Sequence, residues 1–317
     1  METRPHPLGA ERYRFPAYAN GWFRVGYSAD LAAEQVVPLS YLGQQLVLFR
    51  TRSGEARLLD AYCPHLGAHL GVGGVVEGES IRCPFHAWRF DGAGKCVEVP
   101  YASRIPPQAV VRSWPITEKN GLILTHYDAQ GREPTWEIPD LPQIGHPDWT
   151  PLHVKHWKVR ARWLDMNENC VDSAHFKYVH GVLSIPELTV DVDGHIFRTG
   201  SVFDQKSPSG TVRGSLVTVD YGPAFQTVEM TGILDSLLMN TSTPIDEDFT
   251  DVSFAYSIKT DGDPAKQGLA KAVQDDLVEQ FENDLPIWEN KASWAKPMLC
   301  DGDGQFGKYR KWMTQFF

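Results

Sequence analysis

Two kinds of segment are missing from this sequence of 317 residues. No apolar run approaches the roughly 18 residues of a membrane-spanning helix. Charged residues and prolines interrupt residues 1–17, so the apolar core of a signal peptide is missing as well. Positive charge is also in short supply: 30 Lys and Arg face 40 Asp and Glu, for a net charge of −10, which argues against the basic footprint of a nucleic-acid-binding protein. We therefore expect a cytoplasmic protein with no membrane span and no nucleic-acid partner.

Cysteine is scarce too. An odd set of five cysteines without a secretion signal does not indicate a disulfide framework. Two of them stand beside histidines, in Cys63-Pro64-His65 and Cys83-Pro84-Phe85-His86, with 17 residues between the two groups. Each short segment offers one thiolate and one imidazole. The remaining three, Cys96, Cys170 and Cys300, show no ligand spacing.

Two kinds of metal centre could use this donor set. Two thiolates and two imidazoles satisfy a tetrahedral zinc ion, but a zinc finger normally places Cys with Cys and His with His. One thiolate and one imidazole in each segment favours a Rieske [2Fe-2S] cluster, in which one iron takes both cysteines and the other both histidines. We therefore predict Cys63, His65, Cys83 and His86 as cluster ligands, with zinc as the alternative.

The chain around this motif has the pattern of a small β domain. Apolar runs separated by Gly and Asp turns predict strands at 45–50, 56–61 and 121–126. Five prolines in 134–151 and no periodicity indicate a linker. The predicted organisation is an N-terminal domain over 1–134 with an N-terminal extension, a linker over 135–151 and a second domain over 152–317.

The second domain contains a candidate helix from Arg162 to His180, with neither Pro nor Gly before Gly181. Three polar residues lie along one face of that helix at positions i, i+3 and i+6, each turned slightly from the one before: Asn169, Asp172 and His175. His180 lies about 140° further round an ideal helix than His175. The two histidines can therefore share a metal only if the helix ends or bulges between them.

Two histidines and one carboxylate form the facial triad of non-haem Fe(II) oxygenases, which leaves coordination positions open. Asp284 is the candidate carboxylate, since it lies on the apolar side of a second predicted helix, where an unpaired carboxylate would be costly. The stripe that marks this side is Leu269, Val273, Leu277, Phe281 and Leu285. Alternatives remain open: Asp284 could be the N-cap of a helix that begins with Pro286, and His175 and His180 could be ordinary histidines.

Three motifs together resemble the Rieske non-haem iron oxygenases, specifically their oxygenase α-subunits. They are Cys63-x-His65 with Cys83-x2-His86, Glu168-Asn169-x2-Asp172-x2-His175-x4-His180, and Asp284-x2-Ile287-Trp288. Within that family the flanking stretches are most similar to the 3-ketosteroid 9α-hydroxylase oxygenase components and the cholesterol 7-desaturases. These stretches include Cys83-Pro-Phe-His-Ala-Trp-Arg-Phe-Asp-Gly and Pro286-Ile-Trp-Glu-Asn-Lys.

The resemblance implies an α+β fold, with an N-terminal all-β Rieske [2Fe-2S] domain followed by a helix-grip domain of an antiparallel sheet and a long helix. The alternation of apolar and small or polar residues over 252–259 agrees with a sheet that has one buried face. The resemblance also implies mononuclear Fe(II) on His175, His180 and Asp284. It gives catalytic roles to Asn169 and to Asp172, which would hydrogen-bond His86 of a neighbouring subunit in a head-to-tail homotrimer.

The implied activity is that of a terminal oxygenase component. A separate reductase or ferredoxin would supply electrons through the cluster, and O2 would be used to hydroxylate or desaturate a hydrophobic, steroid-like small molecule. Two alternatives stay open at this point. Aromatic ring oxidation and oxidative O- or N-demethylation use the same iron chemistry, whereas a non-catalytic Rieske electron carrier would need only the first domain.

Overall fold

The computed structural model describes residues 15–207 and 210–317 and divides them into two compact units. The first unit contains residues 20–140 and 243–246, and the second contains residues 15–19, 141–242 and 247–317. The chain crosses between the units after residues 19, 140, 242 and 246, and only the crossing after residue 140 lies inside the segment predicted as a linker. Residues 1–14 of the predicted N-terminal extension lie outside the described residues. Within the described ranges, no helix is both long and apolar enough to cross a membrane.

The first unit consists of three small antiparallel sheets with the orders β1-β10-β9, β2-β3-β4 and β5-β6-β7-β8. Its strands are β1 (Gly21–Tyr27), β2 (Val36–Tyr41), β3 (Gln44–Arg50), β4 (Ala56–Asp60), β5 (Val75–Glu77), β6 (Ser80–Arg82), β7 (Arg89–Asp91), β8 (Cys96–Glu98), β9 (Ile116–Lys119) and β10 (Leu122–Tyr127). The three predicted strands correspond to β3, β4 and β10. Phe49, Leu59 and Phe90 are fully buried in a core that also encloses Cys63 and Cys83.

The second unit is built on a seven-stranded antiparallel sheet with the order β11-β17-β16-β15-β14-β13-β12. Its strands are β11 (His153–Val159), β12 (Leu188–Asp193), β13 (Ile196–Ser207), β14 (Gly210–Tyr221), β15 (Phe225–Thr231), β16 (Ser236–Pro244) and β17 (Thr250–Ile258). From β12 to β16 each strand pairs with the next in sequence, so the sheet is largely a meander.

Four helices belong to this unit: α1 (Trp163–Asn167), α2 (Ser173–Tyr178), α3 (Pro264–Trp288) and α4 (Phe306–Met313). Asp263 is the N-cap of α3, since its side chain accepts a hydrogen bond from the Ala265 amide at 2.8 Å. It packs on the sheet through Phe281, whose ring lies 4.5 Å from that of Trp157 and 4.4 Å from that of Phe254. A long helix held against an antiparallel sheet, after an all-β unit, confirms the predicted α+β fold class.

One expectation about the sheet is wrong. The alternation over 252–259 predicted one buried face, but the described positions of β17 are almost all buried, including Ser253 and Ser257 on the small-residue side. The Ser257 hydroxyl donates to the Thr150 carbonyl oxygen at 2.8 Å. Small side chains whose polar groups are satisfied locally can be covered on the second face as well, and the sequence alternation alone does not distinguish this from exposure.

Candidate metal centres

The two Cys-His segments form loops with the same backbone hydrogen bonds. In the first, the Gly67 amide donates to the Cys63 carbonyl oxygen at 3.0 Å, and the Cys63 amide donates to the Ala68 carbonyl oxygen at 2.9 Å. In the second, the Ala87 amide donates to the Cys83 carbonyl oxygen at 3.2 Å, and the Cys83 amide donates to the Trp88 carbonyl oxygen at 2.8 Å. The residue four positions after each cysteine has a positive φ, 75° at Gly67 and 60° at Ala87. The two loops therefore share one local backbone geometry.

The side chains of these loops converge. The His65 and His86 rings lie 4.6 Å apart between centroids, and His65 stacks on Trp88 at 4.6 Å with an interplanar angle of 7°. The Trp88 indole nitrogen in turn donates to the Tyr101 hydroxyl at 2.7 Å, which fixes the ring beneath His65. The four predicted cluster residues therefore lie close together in the first unit.

The donor set fits a [2Fe-2S] cluster. Cys63 and Cys83 are both buried, and they are not joined in a disulfide. His86 Nδ1 is buried without a hydrogen-bond partner, a costly arrangement for an imidazole unless the atom is a ligand. Burial raises the pKa of the Cys63 thiol to about 11, with a further contribution from nearby Cys83. Coordination by a metal deprotonates such a thiol outright.

The predicted helix from Arg162 to His180 is not continuous. Helix α1 passes into a 3-10 turn over Glu168–Val171, the chain then leaves helical geometry at Asp172 with φ −90° and ψ 87°, and α2 follows. The Asp172 side chain caps α2, since its Oδ1 accepts a hydrogen bond from the His175 amide at 3.3 Å. Helix α2 ends at Tyr178, which satisfies the condition that a helix must stop between the two histidines.

His175, His180 and Asp284 come together where α2 ends beside α3. One ligand-capable atom from each of the three lies within 4.8 Å of the others. His180 Nε2 is 3.4 Å from Asp284 Oδ2, and the His180 Nδ1 atom is buried without a partner. The set of two imidazoles and one carboxylate fits a mononuclear iron. The group is held inside the second unit, and Asp284 is only 6% exposed.

Neighbouring polar residues fix the His175 ring. The Asn169 amide nitrogen lies 3.0 Å from His175 Nε2, and the carbonyl oxygen of Asp172 contacts Nδ1. Although burial acts to raise it, hydrogen bonds and charge from His175 leave the pKa of Asp172 below its usual range. Asn169 and Asp172, both predicted as site residues, thus touch His175 directly.

Helix α3 continues through Asp284 to Trp288 with Pro286 inside it. The alternative in which Asp284 caps a new helix at Pro286 is therefore wrong. The apolar stripe of α3 is fully buried only at Phe281, whereas Leu269 is 41% exposed. The stripe is incompletely covered because part of it lines a cavity.

That cavity lies beside the three converging residues and has two parts. The inner part, about 150 Å³, is lined by the triad and by apolar side chains of the sheet and of α3, such as Val228, Phe254 and Phe281. The outer part, about 460 Å³, shares Phe176, His180 and Leu277 with the inner part. The imidazoles and carboxylate thus form part of the wall of a mostly apolar space.

A buried ion pair that the sequence reasoning missed supports the 3-10 turn. Arg310 of α4 reaches Glu168 with two hydrogen bonds, at 2.5 and 2.8 Å, and Glu168 is 2% exposed. A Cβ atom at Gly304 would lie 1.6 Å from the Val171 carbonyl oxygen, so only glycine permits this close approach. The C-terminal segment therefore holds the residues just before Asp172 in place. No spacing in the sequence links Glu168 with Arg310.

Comparison with protein families covers most of the chain. Residues 21–115 match the Rieske [2Fe-2S] domain, and residues 125–317 match the 3-Ketosteroid 9alpha-hydroxylase C-terminal domain. A probable 3-ketosteroid-9-alpha-monooxygenase oxygenase component of Rhodococcus rhodochrous is 32% identical over 95% of this chain and 80% of its own length. The cholesterol 7-desaturase of Xenopus laevis is also 32% identical, over 95% of this chain and 72% of its own length.

Solved structures share the fold. Dicamba monooxygenase bound to 3,6-dichlorosalicylic acid superposes with a TM-score of 0.74 at 20% identity, covering 94% of this chain and 97% of its own. A variant of NdmA from Pseudomonas putida CBB5, solved with caffeine, gives a TM-score of 0.74 at 25% identity. The match covers 93% of this chain and 89% of the NdmA chain.

The catalytic-domain match alone spans more than half of the chain, and curated relatives over 30% identical extend along nearly all of it. Members of this group are oxidoreductases that carry a Rieske [2Fe-2S] cluster and a mononuclear iron. The chain therefore belongs to the Rieske oxygenase family, in the branch of the 3-ketosteroid 9α-monooxygenase oxygenase components and the cholesterol 7-desaturases.

Proposed function

We propose that this chain is the terminal oxygenase component of a multicomponent enzyme, which hydroxylates or desaturates an apolar, steroid-like small molecule with O2. The observation that carries the proposal is the convergence of two imidazoles and a carboxylate on the wall of a mostly apolar cavity, in a chain that also has a Rieske domain. An electron carrier alone has no need of such a cavity.

The roles of the metal-binding residues follow from the donor sets. The cluster is held by Cys63, Cys83, His65 and His86. The mononuclear iron is held by His175, His180 and Asp284. When bound, the two centres supply the electrons and the O2 activation that no amino-acid side chain provides. Three protein ligands leave part of the coordination sphere of an iron ion unfilled by protein, as oxygenase chemistry requires.

The protein's own contribution at this site is orientation and exclusion of water. The Asp172 carbonyl oxygen, in contact with Nδ1, holds the His175 ring in one orientation and leaves Nε2 as the ligand atom, and the Asn169 amide lies 3.0 Å from that atom. Apolar side chains of the sheet and of α3 form much of the wall of the inner cavity, which lowers its affinity for water near the metal site. The Glu168–Arg310 ion pair fixes the 3-10 turn that carries Asn169, and it thereby keeps Asn169 beside His175.

Electron delivery is proposed to involve Asp172. Its carboxyl caps α2 and nevertheless stays 33% exposed, so part of it is free to meet another chain. A hydrogen bond from His86 of a neighbouring copy in a homotrimer would give electrons a short path from cluster to iron. A separate reductase or ferredoxin would reduce the cluster in turn, since neither family match is to a flavin or nicotinamide domain.

The substrate class is proposed from the cavity and from the relatives. The names of the relatives refer to 3-ketosteroids and cholesterol, and the apolar lining of both parts of the cavity suits such a skeleton. A second candidate is oxidation of a smaller aromatic molecule, including oxidative demethylation. The structures solved with caffeine and with a chlorinated salicylate support it, because they share the fold.

A turnover assay with a surrogate reductase tests the proposal. Sterols, 3-ketosteroids, aromatic acids and methyl ethers are offered in parallel, and products are identified by mass spectrometry. We expect an oxygenated or desaturated steroid, with oxygen from 18O2 in any hydroxylated product, and no product from the His175→Ala variant. Turnover confined to aromatic acids or methyl ethers would replace the first candidate with the second, and no O2-dependent product from any class would contradict both.

A further inference from the structure

A row of aromatic rings leads from the inner cavity to a partly exposed position on the sheet. Trp288 of α3 is buried, lines the inner cavity and lies about one helical turn after Asp284. Its ring centroid is 5.3 Å from that of Phe281, which in turn is 4.5 Å from that of Trp157 on β11. Trp157 is only half-buried. We call Trp288, Phe281 and Trp157 the aromatic chain.

The outer end of the aromatic chain is hydrogen-bonded to a carboxylate. The Trp157 indole nitrogen donates to Glu282 Oε1 at 3.1 Å, and Glu282 is exposed to solvent. An indole that has lost an electron is a much stronger acid than a neutral indole, so its N–H proton passes readily to a carboxylate already bonded to it. Trp157 can therefore be oxidised without leaving an uncompensated positive charge in the protein.

Side chains that oxidants damage also line the inner cavity. Met166, Met230 and Cys170 are among them, and oxidation converts their sulfur atoms to sulfoxides or sulfenic acid. Electron transfer across ring contacts of this length takes far less time than the diffusion of a reducing agent into a mostly apolar cavity. An electron path that begins at Trp288 can thus reduce an oxidant before it reaches sulfur.

We propose that the aromatic chain is a protective electron path, which reduces an oxidant formed at the iron site when no substrate is bound. Trp288 and Trp157 give up electrons, and Phe281 bridges them, since a phenyl ring is much harder to oxidise than an indole. Glu282 takes up the proton at the outer end. The inference goes beyond the proposed function but rests on it, because the oxidant comes from the same iron site.

Electrons and protons balance in this step with hydrogen peroxide as the oxidant. Peroxide takes up two electrons and two protons to give two water molecules, and the two protons come from solvent. One electron is available from ferrous iron, and Trp288 supplies the other. Trp157 then refills Trp288 and loses its N–H proton to Glu282, which leaves a neutral Trp157 radical. A thiol or ascorbate in solution returns a hydrogen atom to Trp157, and Glu282 releases its proton to solvent.

The test looks for the radical and for the side chains at which oxidation ends. Substrate-free holoenzyme, with an oxidised cluster and ferrous iron, is mixed with hydrogen peroxide and frozen within milliseconds. We expect the EPR signal of a neutral tryptophan radical, and mass spectrometry of the digested protein should find oxidation concentrated at Trp157. Trp157→Phe should lose that signal and be inactivated several-fold faster by peroxide. Its oxidation should move to the cavity side chains Trp288, Met166, Met230 and Cys170.

Two further variants separate the electron path from a general loss of packing. Glu282→Gln keeps an acceptor for the Trp157 N–H but removes the base, so the yield of neutral radical should fall several-fold. Because Glu282 is exposed, this variant tests the path even if Trp157→Phe destabilises the unit. Trp149→Phe is the matched control. Trp149 is also half-buried, but it pairs with Lys259 in a backbone bridge outside the aromatic chain, so the radical yield should stay as in the wild type.

Failure of the electron path and failure of the proposed function give different results. If the holoenzyme consumes peroxide without a tryptophan radical, the inference is wrong and the proposed function stands. The same conclusion follows if Trp157→Phe, with normal cluster spectrum and iron content, keeps the wild-type oxidation pattern. If the substrate-free holoenzyme does not consume peroxide, the proposed iron chemistry is overturned and the inference with it.

Discussion

The four side chains of the proposed cluster site come from residues 63–86, on two loops with the same backbone hydrogen bonds. The three side chains of the proposed iron site come from two segments about a hundred residues apart. In the cluster site the backbone of each loop places its own thiolate and imidazole. In the iron site the placement depends on the end of α2, on the packing of α3 against the sheet and on Arg310 beneath the preceding turn. We infer that the cluster site is locally determined and that the iron site is sensitive to changes far from it.

The largest effect is expected from removing a cluster ligand. Cys83→Ser should abolish the visible absorption of the cluster and lower the iron content by about two atoms per chain, with loss of turnover. Cys96→Ser is the control, since Cys96 is as buried as Cys83 but has no proposed ligand role. Optical spectra and iron analysis check both variants. An unchanged cluster spectrum in Cys83→Ser would refute the ligand assignment.

Next in size is the loss of an iron ligand. His175→Ala should remove about one iron per chain and all turnover while leaving the cluster spectrum intact, because the two sites share no residue. His153→Ala, at an exposed histidine of β11, should change neither quantity. Iron content by mass spectrometry, together with the cluster absorbance, gives the result. A variant with full iron content would show that His175 is not a ligand.

A change that spares both metals tests the connection between the two sites. Asp172→Asn keeps the helix cap, since asparagine caps as well as aspartate, but it removes the charge proposed to meet a neighbouring His86. We expect iron content and the cluster spectrum of the wild type, with single-turnover product yield reduced at least about a hundredfold. Asp191→Asn, at an exposed position, serves as the control. A normal single-turnover yield from Asp172→Asn would remove Asp172 from the electron path.

A smaller, graded effect should follow from breaking the distant ion pair. Arg310→Leu removes the guanidinium that forms an ion pair with the buried Glu168 carboxylate, which costs about 3–5 kcal/mol of unfolding free energy. We expect a melting temperature lower by roughly 10 °C and partial loss of mononuclear iron, with the cluster retained. Arg198→Leu breaks an exposed pair with Asp191, so it should shift the melting temperature far less. Equal losses in the two variants would argue against a special role for Arg310.

The smallest effect concerns pH. Burial raises the pKa of Asp220 to about 7, so the folded protein holds this proton more tightly than the unfolded chain. That stabilisation is complete below about pH 4 and declines as pH rises through about 7, by up to about 1.4 kcal/mol per pH unit. Asp220→Asn removes this dependence, so its melting temperature relative to wild type should rise between pH 5 and 7 and level off above. Parallel curves for the two proteins would contradict the raised pKa.

The same contrast explains what the sequence could predict. The cluster loops are recognisable because their ligands and their spacing lie in one short stretch. Asp284 could be proposed as the third ligand because a carboxylate stands out on the apolar side of α3, whose stripe ends at Leu285, and the structure brings it close to His175 and His180. The family and the fold class followed from these motifs and are confirmed by the domain matches.

Features that depend on contacts between distant segments could not be predicted in this way. The break at Asp172 lies where Gly304 packs against the Val171 carbonyl oxygen, a contact that helical spacing over 162–180 does not reveal, so the spacing suggested one continuous helix. The hydrogen bonds among Asp220, Gln226 and Asn240 join three strands whose register no local pattern reveals. A weak signal did exist, since Asp220 is a lone charge at the end of the β14 run Ser-Leu-Val-Thr-Val-Asp.

The most direct test of the account combines metal analysis with nitric oxide. Anaerobic holoenzyme should contain about three irons and two sulfides per chain. With nitric oxide it should give the EPR signal of a ferrous nitrosyl, which Asp284→Ala and His175→Ala lose and Cys83→Ser retains. About two irons per chain and no nitrosyl signal in the wild type would contradict the central claim that residues 175, 180 and 284 hold a catalytic iron.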